Sequence, residues 1–359
     1  MKIVVFGLSI TSSWGNGHAT TYRALLSALQ RRGHQILFFE RDLEWYASNR
    51  DMPEPPFCKV HIYESWDDIV LSVRRELADC DLAILGSYFP DGVKAANEIL
   101  DSPAEVKAFY DIDTPITISK LRAGDSEYLQ RNQVAEFDLY FSFTGGPMLK
   151  QLEREFRVRK AVPLYCSFDP DRYRDCPVEA RFTCDLSYMG TFAPDRQEKL
   201  EELLCSPARR FPGRRFLLAG PQYPSRLVWP ANVKTIVHLE PRFHPPFYSS
   251  SRMTLNLTRK DMVVAGYSPS VRLFEAAGCG TTIVSDVWEG IETFLIPDKE
   301  ILLGQSADEV VSYLADMDEQ QLRQIGRNAQ ARVLSEHSSQ RRATELETYV
   351  GQRATSLLA

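Results

Sequence analysis

The sequence predicts an α/β protein built from two doubly wound parallel sheets, one in each half of the chain. Three observations predict it. The 359 residues exceed the roughly 250–300 at which a single hydrophobic core stops growing. Short, continuous apolar runs alternate with segments of helical periodicity, the pattern of parallel strands covered by helices on both faces. The alternation then restarts downstream of a segment, 161–181, that carries Pro163, Pro170, Pro177 and several charges and reads as a linker.

In the first half, Ile3–Phe6 is the opening strand and ends at Gly7. A loop runs to Gly17, and a helix with Leu25, Leu26 and Leu29 at helical spacing ends at Gly33. Gln35–Phe39 is a second buried strand closed by Glu40. A helix over Trp66–Ala78, a strand at Leu82–Gly86, a helix over Gly92–Leu100 and strands at Lys107–Tyr110 and Leu139–Ser142 follow. The second half repeats the scheme with strands at Leu186–Gly190, Phe216–Gly220, Met253–Leu257 and Thr281–Ser285. Helices are expected over Asp195–Leu204 and Ser270–Ala277, and the charged tail Ala307–Val350 is helical. The expected domains are 1–165, 166–335 and a closing helix, 336–359, that crosses back to the first domain.

Composition narrows the function classes. With 44% apolar and 25% charged residues the chain is an ordinary globular protein rather than a disordered one. A net charge of −6, from 42 basic and 48 acidic residues, gives no general electrostatic reason to bind nucleic acid, which is not an expected partner. The seven cysteines are scattered without a C-x-x-C pair, which excludes a disulfide scaffold and a structural zinc site and fits a reducing compartment. No run approaches the roughly 18 apolar residues of a membrane helix, and the N-terminus reads as a strand rather than a signal peptide. A cytoplasmic protein is expected.

The first constellation is Trp14-Gly15-Asn16-Gly17-His18, between the first strand and the first helix. Ligands of open α/β sheets bind outside the carboxyl ends of the strands, so this loop and His18 belong to a cleft. Gly15 and Gly17, with Asn16 between them, permit a tight turn that a ligand can approach. The imidazole serves as a base or as a hydrogen-bond partner for a sugar hydroxyl; helix capping by His18 is the bland alternative. A dinucleotide fold would need G-x-G-x-x-G here, with an acid closing the second strand. Glu40 supplies the acid, but Gly7, Gly15 and Gly17 have the wrong spacing.

The densest constellation is Gly266-Tyr-Ser-Pro-Ser-Val-Arg-Leu-Phe-Glu-Ala-Ala-Gly-Cys-Gly280. Ser268 or Ser270 is placed to cap a helix, with Pro269 in its first turn, leaving exposed N–H groups that suit a phosphate. Arg272 and Glu275 are three residues apart and share a face. A guanidinium there pairs with a diphosphate and a carboxylate accepts ribose hydroxyls; a solvated surface ion pair is the alternative. Arg259-Lys260-Asp261 ends a strand on the same side and offers cations for a leaving diphosphate, or a plain charged turn. Asp111-Ile112-Asp113 spells a D-x-D pattern whose carboxylates, on an extended segment, point the same way, so metal binding is open. Asp113 as a base or acceptor contact is preferred, with capping as the alternative. His238 and His244 have no metal-site spacing and read as structural, so no metal site is expected.

Ser268–Gly280, continuing through Ile283–Phe294, resembles the nucleotide-binding region of GT-B glycosyltransferases, and more narrowly the family named after the spore maturation protein CgeB. Asp185–Thr191 with Arg196, His337–Ala343 in the tail, and Tyr110–Pro115 are weaker matches to the same family. The resemblance implies two Rossmann-like domains facing a cleft and a transferase that needs no metal or other cofactor. Its substrate would be a UDP-, dTDP- or GDP-sugar, passed to an acceptor that is a small molecule, glycan or protein. It places Gly190, Thr191, Arg196, Arg259, Tyr267, Ser268, Ser270, Arg272 and Glu275 at the donor, and His18 and Asp113 at the reacting centre beside the Gly15-Asn16-Gly17 loop. Retaining enzymes of the related group carry two glutamates separated by seven residues. Glu275 matches the second, whose role is the ribose, and Tyr267 stands where the first would fall, so retention and inversion both stay open. A nucleotide-sugar epimerase and a non-catalytic binding protein of the same fold are the alternatives.

Overall fold

The computed structural model describes residues 1–358. They form two units: Met1–Cys166 together with the chain from Ser339 onward, and Ser167–Ser338. The chain passes between the units at 166/167 and 338/339.

The first unit holds seven parallel strands: β1 (Lys2–Phe6), β2 (Gln35–Arg41), β3 (Lys59–Tyr63), β4 (Leu82–Gly86), β5 (Val106–Asp111), β6 (Leu139–Ser142) and β7 (Ala161–Pro163). Their order is β3-β2-β1-β4-β5-β6-β7. Val4 of β1 lies opposite Leu37 on one side and Ala83 on the other, so the order reverses at the β1/β4 boundary. Loops leaving these two strands diverge to opposite faces and open a crevice at their carboxyl ends. One face of the sheet is closed by aromatic packing, with Phe6 stacked on Phe39 at 5.0 Å and flanked by Trp66 and Phe89. The closing helix, Ser339–Leu358, packs on the Gly17–Arg31 helix of this unit. The Arg32 hydrogen bond, with His34 at 2.7 Å, holds the Glu347 carboxyl down at about 2. Buried Arg342 donates to the Tyr165 carbonyl at 3.2 Å and to Glu345 at 2.9 Å.

The second unit holds β8 (Cys184–Met189), β9 (Phe216–Ala219), β10 (Val233–Ile236), β11 (Ser251–Asn256), β12 (Thr282–Ser285) and β13 (Leu302–Leu303), in the order β10-β9-β8-β11-β12-β13. The pattern of the first unit recurs, with a reversal between β8 and β11.

Three local expectations change. Ala161–Pro163, read as linker, is the edge strand β7; an edge position tolerates Pro163, which has no N–H to donate. The helix expected over Asp195–Leu204 starts at Pro194, widens into a π turn at Glu201–Cys205 and continues to Arg210. The charged tail is three helices, the second opened by Asp318, whose carboxylate accepts the Gln321 N–H at 2.8 Å.

The β1 loop is held by Glu40. Its fully buried carboxylate accepts the Ile10 and Thr11 N–H groups at 2.6 and 3.0 Å and the Ser9 and Thr11 hydroxyls at 3.0 and 2.5 Å. The acid that a dinucleotide fold would aim at a ribose is spent here on the loop itself. Glu40→Ala leaves four buried donors without an acceptor and should lower stability by about 2–3 kcal/mol in denaturant melts.

Candidate functional site

In the first unit, the carboxyl ends of β1, β4 and β5 bring together His18, Tyr88 and Asp113. Gly15 turns the loop at φ +59°, and the Asn16 side chain accepts the His18 N–H at 3.0 Å, so Asn16, not His18, caps the helix. Gly17 opens the helix, which places His18 in its first turn rather than in the loop. Burial alone would raise the nearby Asp51 carboxyl, but the Arg23 guanidinium, at 2.8 Å to both oxygens, and Ser13 hold it at about 2. The loop that aims His18 is therefore fixed from both sides.

His18 is 8% exposed. Its Nε2 lies 3.1 Å from Asp113 Oδ2, and its Nδ1 is buried with no hydrogen-bond partner among the described residues. A carboxylate only accepts, so Nε2 carries the proton in the neutral ring and Nδ1 presents a lone pair. Asp113 stands at the start of the Thr114–Ala123 helix but does not cap it; its carboxylate turns to His18 instead. Tyr88 packs edge-on to the imidazole at 5.7 Å and holds a left-handed backbone, φ +62°, a strain that persists only where surroundings impose it.

The D-x-D pair does not act as a pair. Asp111 is fully buried, and burial raises its carboxyl to about 6 against hydrogen bonds from Tyr140 and Thr117. It also receives the Asp113 N–H at 3.2 Å, so it braces the turn, while Asp113 faces His18. The two carboxylates do not converge, because the chain leaves the extended conformation between them to start a helix.

In the second unit the centre is Arg272, 9% exposed, on the Val271–Gly278 helix. Its guanidinium donates to the Met189 carbonyl at the end of β8 and to Asn256 Oδ1, 3.2 Å away, at the end of β11. It lies over the Tyr188 ring, 5.0 Å from the centroid. Arg272 thus bridges the reversal point of the sheet, with no ion-pair partner among the described residues. Ser270 occupies the cap position, yet its hydroxyl donates to Asn256 at 2.6 Å and does not cap, and Pro269 precedes the helix rather than entering its first turn. The first N–H groups of the helix are left without a side-chain cap. Glu275 is buried; burial raises its carboxyl to about 7, opposed by a Tyr173 hydrogen bond and by Arg172 and Arg272. Arg272 and Glu275 are therefore not a solvated surface pair. The hydroxyls of Tyr188 and Tyr248 and the Arg196 Nε are also buried without partners among the described residues.

The other sequence-derived residues line the same strand ends. Gly190 follows β8 and donates to Ala219, and Arg196 donates to the Thr191 carbonyl at 2.6 Å. Arg259 lies half exposed, its Nε 3.6 Å from Asp195. Tyr267 sits at φ +46° and donates to the Glu289 carbonyl at 2.6 Å, its ring packed on Gly290; the Ser268 hydroxyl contacts Met262 sulfur at 3.2 Å. Sequence reasoning missed Tyr88, Tyr188, Asn256 and Tyr173. Only Asn256 left a signal, a polar residue closing an apolar strand. A cavity of about 710 Å³ opens at the opposite, amino-terminal ends of β8, β11 and β12, where Arg252 is already bound to Leu314, Met317 and Glu319.

Residues 196–348 match a protein-family model described as glycosyl transferase-like. No curated protein matches the sequence. Among solved structures the chain is similar to sucrose-phosphate synthase from Thermosynechococcus elongatus, at 13% identity and TM-score 0.69, covering 99% of this chain and 100% of that one. It is similar to HepE from Anabaena in complex with UDP and glucose, at 14% identity and TM-score 0.70, covering 98% and 100%. It is also similar to the E. coli trehalose-6-phosphate protein bound with UDP-2-fluoro glucose, at 11% identity and TM-score 0.67, covering 98% and 99%. The fold is the GT-B fold of glycosyltransferases. Among the described residues no helix is long and apolar enough to cross a membrane, and no three His, Cys, Asp or Glu side chains are grouped to hold a metal.

A Cβ added at Gly190 would sit 2.6 Å from the Tyr188 hydroxyl and 2.8 Å from an Arg272 nitrogen. Gly190→Ala should displace the guanidinium and the Tyr188 hydroxyl and lower stability by about 1–3 kcal/mol in denaturant melts, while the circular dichroism spectrum stays that of the folded chain.

Proposed function

We propose that this protein is a metal-independent glycosyltransferase that passes a sugar from a nucleoside diphosphate donor, a UDP-sugar first among the candidates, to an acceptor hydroxyl. The observation that carries this reading is Arg272: a buried cation bridging Met189 and Asn256, beside an uncapped helix start, with no ion-pair partner among the described residues. That arrangement suits a diphosphate, whose charge would compensate the guanidinium. The glycosyl transferase-like match over 196–348, and similar structures that hold UDP, support it.

In this reading Arg272, Arg196 and Arg259 stabilise the leaving diphosphate as the bond from the anomeric carbon to the phosphate oxygen breaks. Gly190 and Thr191 allow close approach, Ser268 and Ser270 line the helix start, Tyr267 borders the donor sugar, and Glu275 takes the ribose hydroxyls. The first unit supplies the acceptor side through the Gly15-Asn16-Gly17 loop. His18 Nδ1 accepts a hydrogen bond from a substrate hydroxyl, and Asp113 fixes the ring through Nε2. The new bond joins the anomeric carbon to the acceptor oxygen, and the acceptor proton ends on the leaving phosphate. With the acceptor attacking from the face that the diphosphate leaves, that route retains the anomeric configuration; the group accepting the proton is the leaving group itself, so Tyr267 in place of a carboxylate does not block it.

His18→Ala should lower kcat/KM by about tenfold to a hundredfold, the loss of one buried hydrogen bond, with donor binding kept, and turnover should persist in EDTA. Proton NMR of the glycoside should show the donor's anomeric configuration. An inverted product would overturn retention and reassign His18 as the base of a direct displacement. Loss of activity in EDTA, restored by Mn²⁺, would overturn metal independence, and epimerised donor without transfer would replace the reading with an epimerase.

A further inference from the structure

Two contacts hold the His18 ring, and both lead back to one atom. Asp111 Oδ1 accepts the Asp113 N–H at 3.2 Å and the Thr117 hydroxyl at 2.7 Å, while Tyr140 donates to the other oxygen. The first of these bonds sets the turn from which Asp113 reaches His18 Nε2, 3.1 Å away. The second starts an arm that ends at the same imidazole. Thr117 gives its one hydroxyl hydrogen to the carboxylate, so at 2.7 Å it accepts the hydroxyl of buried Tyr128. The Tyr128 ring packs on Tyr88, with centroids 4.9 Å apart and planes tilted by 40°. Tyr88 in turn stands edge-on to the imidazole, at 5.7 Å and 73°. Asp111, Asp113, His18, Tyr88, Tyr128 and Thr117 thus close a ring of contacts.

Two further contacts fix the arm. A Cβ at Gly92 would lie 2.2 Å from the Tyr128 carbonyl oxygen, so the chain at Tyr128 runs directly against the start of the Gly92–Asp101 helix. Ser87, next to Tyr88, accepts the Ile112 N–H at 3.0 Å, which ties the end of β4 to the end of β5. These contacts impose the left-handed backbone of Tyr88, φ +62°. The Asp113 bond alone does not aim the imidazole. Histidine χ2 is a broad torsion, and Nε2 lies nearer its axis than Nδ1 does, so a bond at Nε2 leaves the direction of Nδ1 loosely set. A near-perpendicular aromatic contact fixes the plane.

We propose that Tyr88 and Tyr128 are positioning residues for His18: Tyr128, anchored through Thr117 to Asp111, holds Tyr88 against the imidazole and so aims the Nδ1 lone pair. A substrate hydroxyl then meets an acceptor whose direction is already set. The inference rests on the reading of His18 Nδ1 as the partner of that hydroxyl.

Long-range proton–nitrogen NMR spectra of the full-length protein at about pH 8, where imidazoles are ordinarily neutral, report the tautomer of each histidine. The His18 signals are those lost in His18→Gln. Wild type should show one His18 set, protonated at Nε2 and bare at Nδ1, and Tyr88→Phe, which keeps the ring, should match it. Tyr88→Gly removes the ring and relieves the left-handed backbone, and Tyr128→Phe removes one hydroxyl from the arm. Both should keep the circular dichroism spectrum of the folded chain. Both should also narrow the separation of the two His18 nitrogen shifts, because an imidazole free to turn mixes its tautomers. Loss of a tyrosine ring current leaves that separation nearly unchanged, so a merely neighbouring ring would not move it. A wild-type separation in Tyr88→Gly would overturn the proposal. A narrowed separation in Tyr88→Gly but not in Tyr128→Phe would overturn the arm to Asp111. UDP calorimetry keeps the two readings apart: failure of the folded wild type to bind UDP would overturn the transferase reading, while the His18 spectra still decide this one.

Discussion

The second unit is organised around a buried cation with only neutral partners. Placing a guanidinium out of water is costly unless its charge is compensated, and two oxygens and an aromatic face compensate only part of it. Arg272 is held there because the strand order reverses between β8 and β11, where the Met189 carbonyl and Asn256 come within reach of one side chain. The uncapped helix start and the partnerless hydroxyls of Tyr188 and Tyr248 are further unsatisfied groups around the same point. Each is a small instability in the free protein. In the proposed reading they are the complement of a nucleoside diphosphate, anionic at one end and hydroxylated at the other.

The first unit solves the reverse problem: the groups around His18 are satisfied one by one, and the imidazole Nδ1 is not. Glu40 absorbs four donors of the β1 loop, Arg23 and Asp51 lock its outer side, Asn16 caps the helix and Asp113 orients the ring. At the carboxyl ends of β1 and β5 this leaves His18 Nδ1, a lone pair aimed by rigid supports. Rigidity of this kind lowers the entropy lost on positioning a substrate.

The central strands of both sheets were legible in the sequence because parallel strands buried on both faces are written as continuous apolar runs. β1, β4 and β6 fall within a residue of the reading. The edges β3 and β10 were not, because half-exposed strands mix charge with apolar residues, as in Lys-Val-His-Ile-Tyr and Val-Lys-Thr-Ile, and β7 and β13, of three and two residues, are too short to leave a pattern. The Arg272–Glu275 face was visible from spacing alone, but its burial was not, since a surface ion pair has the same spacing. The D-x-D reading failed at a turn: the two aspartates were taken as one extended segment, whereas a helix starts between their directions. Tyr173 and His244 lie 71 residues apart, and nothing local in the sequence joins them.

The most direct test of this account is amide hydrogen exchange with and without saturating UDP. Bound nucleotide should protect Gly190–Arg196 and Ser268–Glu275, the segments that carry the buried guanidinium and the uncapped helix start. Protection confined to the Gly15–His18 loop, or to the Arg252 cavity at the other end of the strands, would contradict the placement of the donor at Arg272.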